Sequence, residues 1–347
     1  MIETIKNILE TGVNKQHFPG GQFCVIRNGQ IQCDYVGYKA LYPNKVLNQG
    51  HEIYDVASLT KVISTNTLIF KLIETGRLSL NTPVQSILEN VAYGDITIYD
   101  LLTHTSGLPA DIRRANTLRN PDEVLEKVFH SEKIYAKGSH VVYSDVGFIL
   151  LGKIIETIHQ KPLDVVARLE IFEPLHMMDS SYRPYPIRCA PTELREDTVF
   201  QGYLQGQVHD EKSFAMQGLA GHAGLFSTAS DIAKFILAMF NQTHVLSPKT
   251  IEQLNQIQVE ATDLSDNPKA RALGFEKPSK SHVLYPFKDE LIIHTGFTGC
   301  NLMINLKRQE GFVLLTNAVH PKRENNHIFG YRDEIYRLFI KQWEEHK

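Results

Sequence analysis

Residues 291–316 read LIIHTGFTGCNLMINLKRQEGFVLLT. Leu291-Ile292-Ile293-His294, Asn301 to Asn305 and Gly311 to Thr316 look like three strands, with Arg308-Gln309-Glu310-Gly311 as a turn between the last two. At the other end of the chain, Phe23-Cys24-Val25-Ile26 and Ile31 to Val36 flank Asn28-Gly29. Asn-Gly between two apolar runs is a strong hairpin signal, because both turn residues must accept positive φ. Strands at both ends must pair with something. The economical solution is one antiparallel sheet built from both termini.

The segment between these strands reads as mostly helical. Helical patterns run from Ser58 to about Thr75, with Gly76 as a C-cap, and over Ile98 to Leu102, Asp122 to Phe129 and Val146 to Ile158. Pro and Gly punctuate them, as at Gly107-Leu108-Pro109, Pro184 and Pro186. Ala229 to Phe240 follows, with Ser227, Thr228 or Ser230 as N-cap. Ile2, Ile5, Ile8 and Leu9 imply an amphipathic first helix, and Arg332 to Trp343 a last one, with Trp343 packing it. The expectation is an α/β chain of the α+β type. Residues 1–65 and 225–347 form its discontinuous α/β domain, 66–224 an inserted helical domain, and the active site lies in the cleft between them. Lys277 to His282 reads as a solvated turn, Tyr182 to Pro186 as a loop, and most of the fifteen histidines as surface or capping residues.

Composition narrows the function. Over 347 residues, 36 Lys+Arg stand against 39 Asp+Glu, a net charge of −3 that gives no basic footprint for nucleic acid. No stretch approaches the roughly 20 apolar residues of a membrane span. The first residues show no basic region followed by an apolar one, so no signal peptide is expected. The cytoplasm is the default location, with an extracytoplasmic one open if a leader was removed. Four cysteines, Cys24, Cys33, Cys189 and Cys300, show no CxxC spacing. Cys24 and Cys33 can face each other across the hairpin, and the expectation for them is a pair of reduced strand thiols.

Ser58-Leu59-Thr60-Lys61 is the one S-x-x-K in the chain. On a helix, i and i+3 share a face, so hydroxyl and amine can meet. A serine is a weak nucleophile until a base takes its proton, and a lysine amine serves if its pKa is lowered. Such spacings are also common on solvated helices. Three other segments occur with it in order: Leu101 to Pro109 (LLTHTSGLP), Tyr143-Ser144-Asp145 before a helical run, and His294-Thr295-Gly296 at a strand end.

Together these segments resemble the serine β-lactamase and penicillin-binding-protein superfamily, in particular its class C-like branch of esterases, D,D-peptidases and related hydrolases. Tyr143-Ser144-Asp145 matches the Tyr-x-Asn position and His294-Thr295-Gly296 the Lys-Thr-Gly position. Gly221 to Ala229 (GHAGLFSTA) is also family-typical, and the resemblance runs from about Gly20 to Asn317. It implies the β-lactamase-like (transpeptidase) fold and no cofactor. It further implies that Ser58 is acylated and that Lys61 and Tyr143 share proton transfer. The backbone N–H groups of Ser58 and Phe297 would form the oxyanion hole. His294, Thr295 and Gly296 would line the substrate's edge strand, and Asp111 falls where the family places a polar cleft residue.

Two departures change the chemistry. Asp145 replaces Asn and either keeps Lys61 charged, weakening it as a base, or simply holds it in place. His294 replaces Lys, which predicts weaker selection for anionic substrates, because histidine is mostly neutral at pH 7. Val208-His209-Asp210-Glu211 and Gly221-His222-Ala223-Gly224 carry histidines and acids, but their spacing fits no strong metal motif, so no metal is expected. The expectation there is a loop, with His222, that shapes the pocket. The His-Asp-Glu run is similar to that of muramoyl-alanine amidase-like enzymes and points toward peptidoglycan fragments. The leading function is a serine hydrolase acting through an acyl-enzyme on an ester or amide of a small molecule or peptidoglycan fragment. Alternatives are a penicillin-binding D,D-peptidase or weak β-lactamase, with β-lactams as covalent ligands, and a sensor that is acylated without turnover.

Overall fold

A computed structural model describes residues 1–241, 245–325 and 327–345. Among these, nine strands form one antiparallel sheet. Its order is Val46–Leu47, Gln30–Ala40, Gly20–Arg27, Glu310–Thr316, Asn301–Asn305, Leu291–Thr295, Glu276–Lys277, Pro268–Arg271 and Val259–Thr262. The first and last strands of the chain therefore meet in the interior of the sheet, where Gly20–Arg27 pairs with Glu310–Thr316. The Asn28-Gly29 turn joins the first two strands, with φ of 51° and 73°.

Period-two alternation sorts the sheet's two faces. Phe23, Val25, Phe312 and Leu314 pack under the helices Ile2–Asn14 and Phe329–Glu345, where Trp343 is buried against Phe287 and Phe339. Cys24, Ile26, Val313 and Leu315 face the other way, onto the helix Ala229–Asn241 and the continuous core it shares with the middle of the chain. Thr228 caps that helix, its Oγ1 accepting from Asp231 N at 3.2 Å. The middle helices Ile98–Leu102, Pro121–Phe129 and Asp145–His159 fall where their periodicity places them. No helix among the described residues is long and apolar enough to cross a membrane.

Two expectations are corrected. Cys24 and Cys33 form a disulfide, not a pair of reduced thiols. The two-residue turn sets the register that puts them directly opposite, where facing side chains are close. Lys277 is not in a solvated turn. It lies in a strand, fully buried, and donates to Asn255 O at 2.7 Å, while its pKa is lowered to about 8 by burial. Most of the described histidines are exposed or half-buried, as expected, and five, His104, His209, His222, His294 and His320, are buried.

Candidate active site

Ser58 stands at the entry to a helix that follows the short strand Tyr54–Asp55. The preceding Ala57 has φ of 48°, a conformation that costs a non-glycine residue energy and persists only where surroundings enforce it. Those surroundings are the Asp55 carboxylate, which accepts from Ala57 N at 2.9 Å, and Thr298, whose hydroxyl donates to Asp55 O at 2.8 Å. One turn on, the helix widens to a π-helix over Lys61–Asn66, a feature frequent at functional sites.

Lys61 is fully buried, and its Nζ donates to Ser58 Oγ at 3.0 Å, to Asp145 Oδ1 at 2.8 Å and to His222 O at 3.1 Å. The same Nζ lies 4.7 Å from the centre of the Tyr143 ring. Burial lowers the Lys61 pKa, but Asp145 and Tyr143 outweigh it and leave the group raised, a firm ammonium at neutral pH. The 2.8 Å contact serves both roles open to Asp145: it holds Lys61 in place, and its charge favours the ammonium form.

Tyr143-Ser144-Asp145 is held by the turn after Ile98–Leu102. Ser144 N donates to His104 Nδ1 at 3.0 Å, and Ser144 Oγ to Pro109 O at 2.6 Å. Ser144 then caps the helix Asp145–His159, accepting from Gly147 N at 3.2 Å. Asp145 sits in the first turn, where the helix dipole favours its charge. Burial raises the Asp145 pKa, yet Lys61, His222 and Lys212 pull it below the usual carboxylate range.

A second ammonium shares that carboxylate. Lys212, 2% exposed, contacts Asp145 Oδ2 at 3.2 Å, Asp210 Oδ2 at 3.0 Å and Asp111 Oδ1 at 3.0 Å. Asp210 also accepts from His222 Nε2 at 2.7 Å and caps a short helix through Ser213 N. Burial raises the Asp210 pKa, but His222 and Lys212 hold it well below the ordinary value. Asp145, Asp210 and His222 offer ligand atoms within 4.8 Å of one another, a set that fits a metal ion in outline. The ammonium groups of Lys61 and Lys212 already stand against both carboxylates, so the positive charge such a set calls for is built into the chain.

Expected to shape the pocket, His222 is instead 1% exposed and turned toward Asp210. It reaches the site through its carbonyl on Lys61. Gly221 allows this close approach, since a Cβ there would lie 2.2 Å from Phe148 O. Asp111 does reach the cleft, through Lys212.

The opposite wall carries His294, Thr295, Gly296 and Phe297. His294 is 2% exposed and donates from Nδ1 to Thr295 O at 3.0 Å. Burial, then Lys61 and Arg271, push its pKa well below 6.5, so it is neutral. Tyr143 lies between the rings of His104 and His294, at 4.7 and 6.0 Å. Phe297 stacks on His209 at 5.6 Å. His209 is fixed by Glu193 at 2.9 Å, and Arg323 grips the same carboxylate at 2.6 to 2.9 Å while also reaching Glu211 at 2.9 Å. The whole encloses a cleft of about 690 Å³ with Ser58 on its floor.

Sequence reasoning missed Lys212, Glu193, Arg323 and Arg271. Only Lys212 had a local signal, since it directly follows the His209-Asp210-Glu211 run. The Glu193 buttress has a measurable consequence. Burial raises its pKa, but His209 and Arg323 overcome this and lower it from 4.5 to about 2. A depressed carboxylate contributes stability that is present above its unfolded value and lost as pH falls toward the folded one. Glu193→Gln should therefore remove up to about 3 kcal/mol of acid-dependent stability between pH 4.5 and 2. Urea midpoints across that range check it; parallel profiles for both proteins would refute the coupling.

A serine beside a buried lysine and a tyrosine, in a cleft edged by an antiparallel strand, defines a serine hydrolase of the β-lactamase fold. The Beta-lactamase family model matches residues 5–336, and the chain belongs to that family. It is 31% identical to an N-acetylmuramyl-L-alanine amidase of Bacillus subtilis, over 90% of this chain and 81% of that protein. It is 28% identical to a putative D-alanyl-D-alanine carboxypeptidase of Salmonella agona, over 92% and 82%. Among solved structures, an octameric penicillin-binding protein homologue from Pyrococcus abyssi superposes with a TM-score of 0.75 at 20% identity, covering 95% of this chain and 76% of that one. A class C β-lactamase gives 0.72 at 18%, covering 91% and 90%.

Proposed function

We propose that Ser58 is the acylated nucleophile of an enzyme that hydrolyses an amide or ester bond in a peptidoglycan-derived fragment. The observation that carries this is the 3.0 Å contact between Lys61 Nζ and Ser58 Oγ on the cleft floor. Ser58 Oγ attacks the carbonyl carbon while its proton passes to Lys61 in its minor neutral form. The N–H groups of Ser58 and Phe297 receive the developing oxyanion. On collapse, the bond to the leaving nitrogen or oxygen breaks and that atom takes a proton from Tyr143, which Lys61 restores. Water then attacks the acyl-enzyme by the reverse route. The cleft is read as the junction of an α/β body, residues 1–65 and 225–347, with an inserted helical part, 66–224. Ser58 and His294 come from the first, and Tyr143, Asp145 and Lys212 from the second.

The kinship with an amidase named for N-acetylmuramyl-L-alanine and with putative D-alanyl-D-alanine carboxypeptidases supports the substrate class. β-Lactams would enter the same site as covalent ligands. Treatment with a fluorophosphonate and with a fluorescent penicillin, followed by intact-mass analysis and peptide mapping, is expected to place an adduct on Ser58. Hydrolysis of p-nitrophenyl esters and muramoyl peptides should accompany it. Absence of label from Ser58 with both probes would refute the proposal. A stable adduct without turnover of any substrate would favour an acylated sensor.

A further inference from the structure

Asp55 lies outside every motif, yet its hydrogen bonds reach both halves of the oxyanion hole assigned above. It ends the short strand Tyr54–Asp55, three residues before Ser58, and pairs with Phe226 of the strand Phe226–Ser227. It is 1% exposed. Its Oδ1 accepts from Ala57 N at 2.9 Å and its Oδ2 from His209 N at 2.7 Å. Among the described residues no lysine or arginine pairs with it, and burial raises its pKa against the pull of those two donors. A buried carboxylate with no counter-charge carries a large desolvation penalty. Closing one turn does not require it, because a serine, threonine or asparagine accepts a backbone N–H without a buried charge. What the carboxylate adds is two acceptor oxygens serving two separate segments.

Both segments, and a third, adjoin the two donors of the hole. Ala57 immediately precedes Ser58, so the Oδ1 bond holds the left-handed residue from which the Ser58 N–H is aimed. The Asp55 carbonyl accepts from Thr298 Oγ1 at 2.8 Å, and Thr298 immediately follows Phe297, whose N–H is the other donor. The Oδ2 bond holds the backbone of His209, and the His209 ring stacks on Phe297 at 5.6 Å. The two halves meet without slack. A Cβ on Gly296 would lie 2.5 Å from Val56 O and 3.3 Å from Ala57 Cβ, so the end of the edge strand rests directly on the nucleophile turn.

We propose that Asp55 is a positioning residue that sets the Ser58 and Phe297 N–H groups relative to each other, so that the hole is formed before substrate arrives. The inference rests on the reading of Ser58 as the nucleophile and of these two N–H groups as the hole. Such a hole works through donors fixed in advance, because donors that must reorient at the moment of reaction lose their advantage. Asp55 touches neither substrate nor the reacting atoms. It acts through Ala57, His209 and Thr298, one on each segment that the hole needs aligned.

A fluorophosphonate probes the hole directly, because displacement of fluoride by Ser58 Oγ leaves a phosphoryl oxygen where the oxyanion would sit. The readouts are the rate constant of labelling and the phosphorus NMR shift of the adduct. Asp55→Asn keeps one acceptor and turns an amide N–H toward the other donor. It should slow labelling about 10- to 100-fold and move the phosphorus resonance away from its wild-type position. Thr298→Val removes the tie to the Asp55 carbonyl, should move both readouts the same way to a smaller extent, and decides the matter if Asp55→Asn does not fold. The rate constant is read from the fraction that labels, so a smaller folded fraction lowers the amplitude and not the value. A wild-type phosphorus position in Asp55→Asn, or in Thr298→Val where Asp55→Asn does not fold, overturns the assignment however far stability has fallen, and leaves the serine hydrolase reading intact. No labelling of wild-type Ser58, by this probe or by the fluorescent penicillin, overturns both.

Discussion

Lys61→Met should lower ester hydrolysis by on the order of 10²–10⁴-fold, the span typical for loss of a positioned acid–base group. Ser58→Ala should bring it to background. Ser58 and Lys61 act as a unit, so the double variant should be no worse than Ser58→Ala alone. The pH profile separates a proton-transfer role from simple packing. Asp145 holds the Lys61 pKa above its ordinary 10.5, so the neutral amine is scarce at pH 7 and grows as pH rises. The kcat/KM of the wild-type chain should therefore climb through the alkaline range without a plateau below about pH 10. Asp145→Asn removes the carboxylate and should shift that limb to lower pH. If Asp145→Asn leaves the profile where it was, Lys61 is not the base.

Lys212→Met should be among the most destabilising single changes in the chain. Its ammonium stands between Asp145, Asp210 and Asp111 at 3.0 to 3.2 Å, and is itself 2% exposed. Removing it leaves carboxylates crowded at the first turns of two helices with Lys61 as the remaining fixed cation. Breaking such a buried arrangement typically costs about 3–5 kcal/mol. The loss should be largest at neutral pH. The Asp210 pKa is held down in the folded chain, so its contribution is present above the ordinary carboxylate value of 3.8 and is lost as pH falls below that toward the depressed folded value. The gap between wild type and variant should narrow accordingly. Urea midpoints at pH 7 and at about pH 2.5, below the ordinary carboxylate value, with unchanged m, provide the measurement. A loss under about 1 kcal/mol at pH 7 would mean the carboxylates find other partners.

Much of the architecture was legible locally. Period-two runs at both ends, the Asn28-Gly29 turn and the capping signal at Thr228 depend on neighbours a few residues away. They reappear as strands, a hairpin and a helix start. The Ser58–Lys61 contact was legible for the same reason, since one helical turn brings the pair together. What stayed hidden depends on distance through space. Cys24 and Cys33 were readable as facing, but the disulfide itself depends on sulfur contact. Glu193 and Arg323 meet across 130 positions, and Lys212 reaches Asp111 and Asp145 from another helix.

Local chemistry thus determined which residues could react, because hydroxyl, amine and phenol bring their reactivity with them. Their charge states, and the sign of the cleft around them, were decided only when the chain folded. Coulomb energy and desolvation depend on separation and burial, which put Asp145 against Lys61 and left Arg271 in the cleft wall with Nε and Nη1 lacking hydrogen-bond partners.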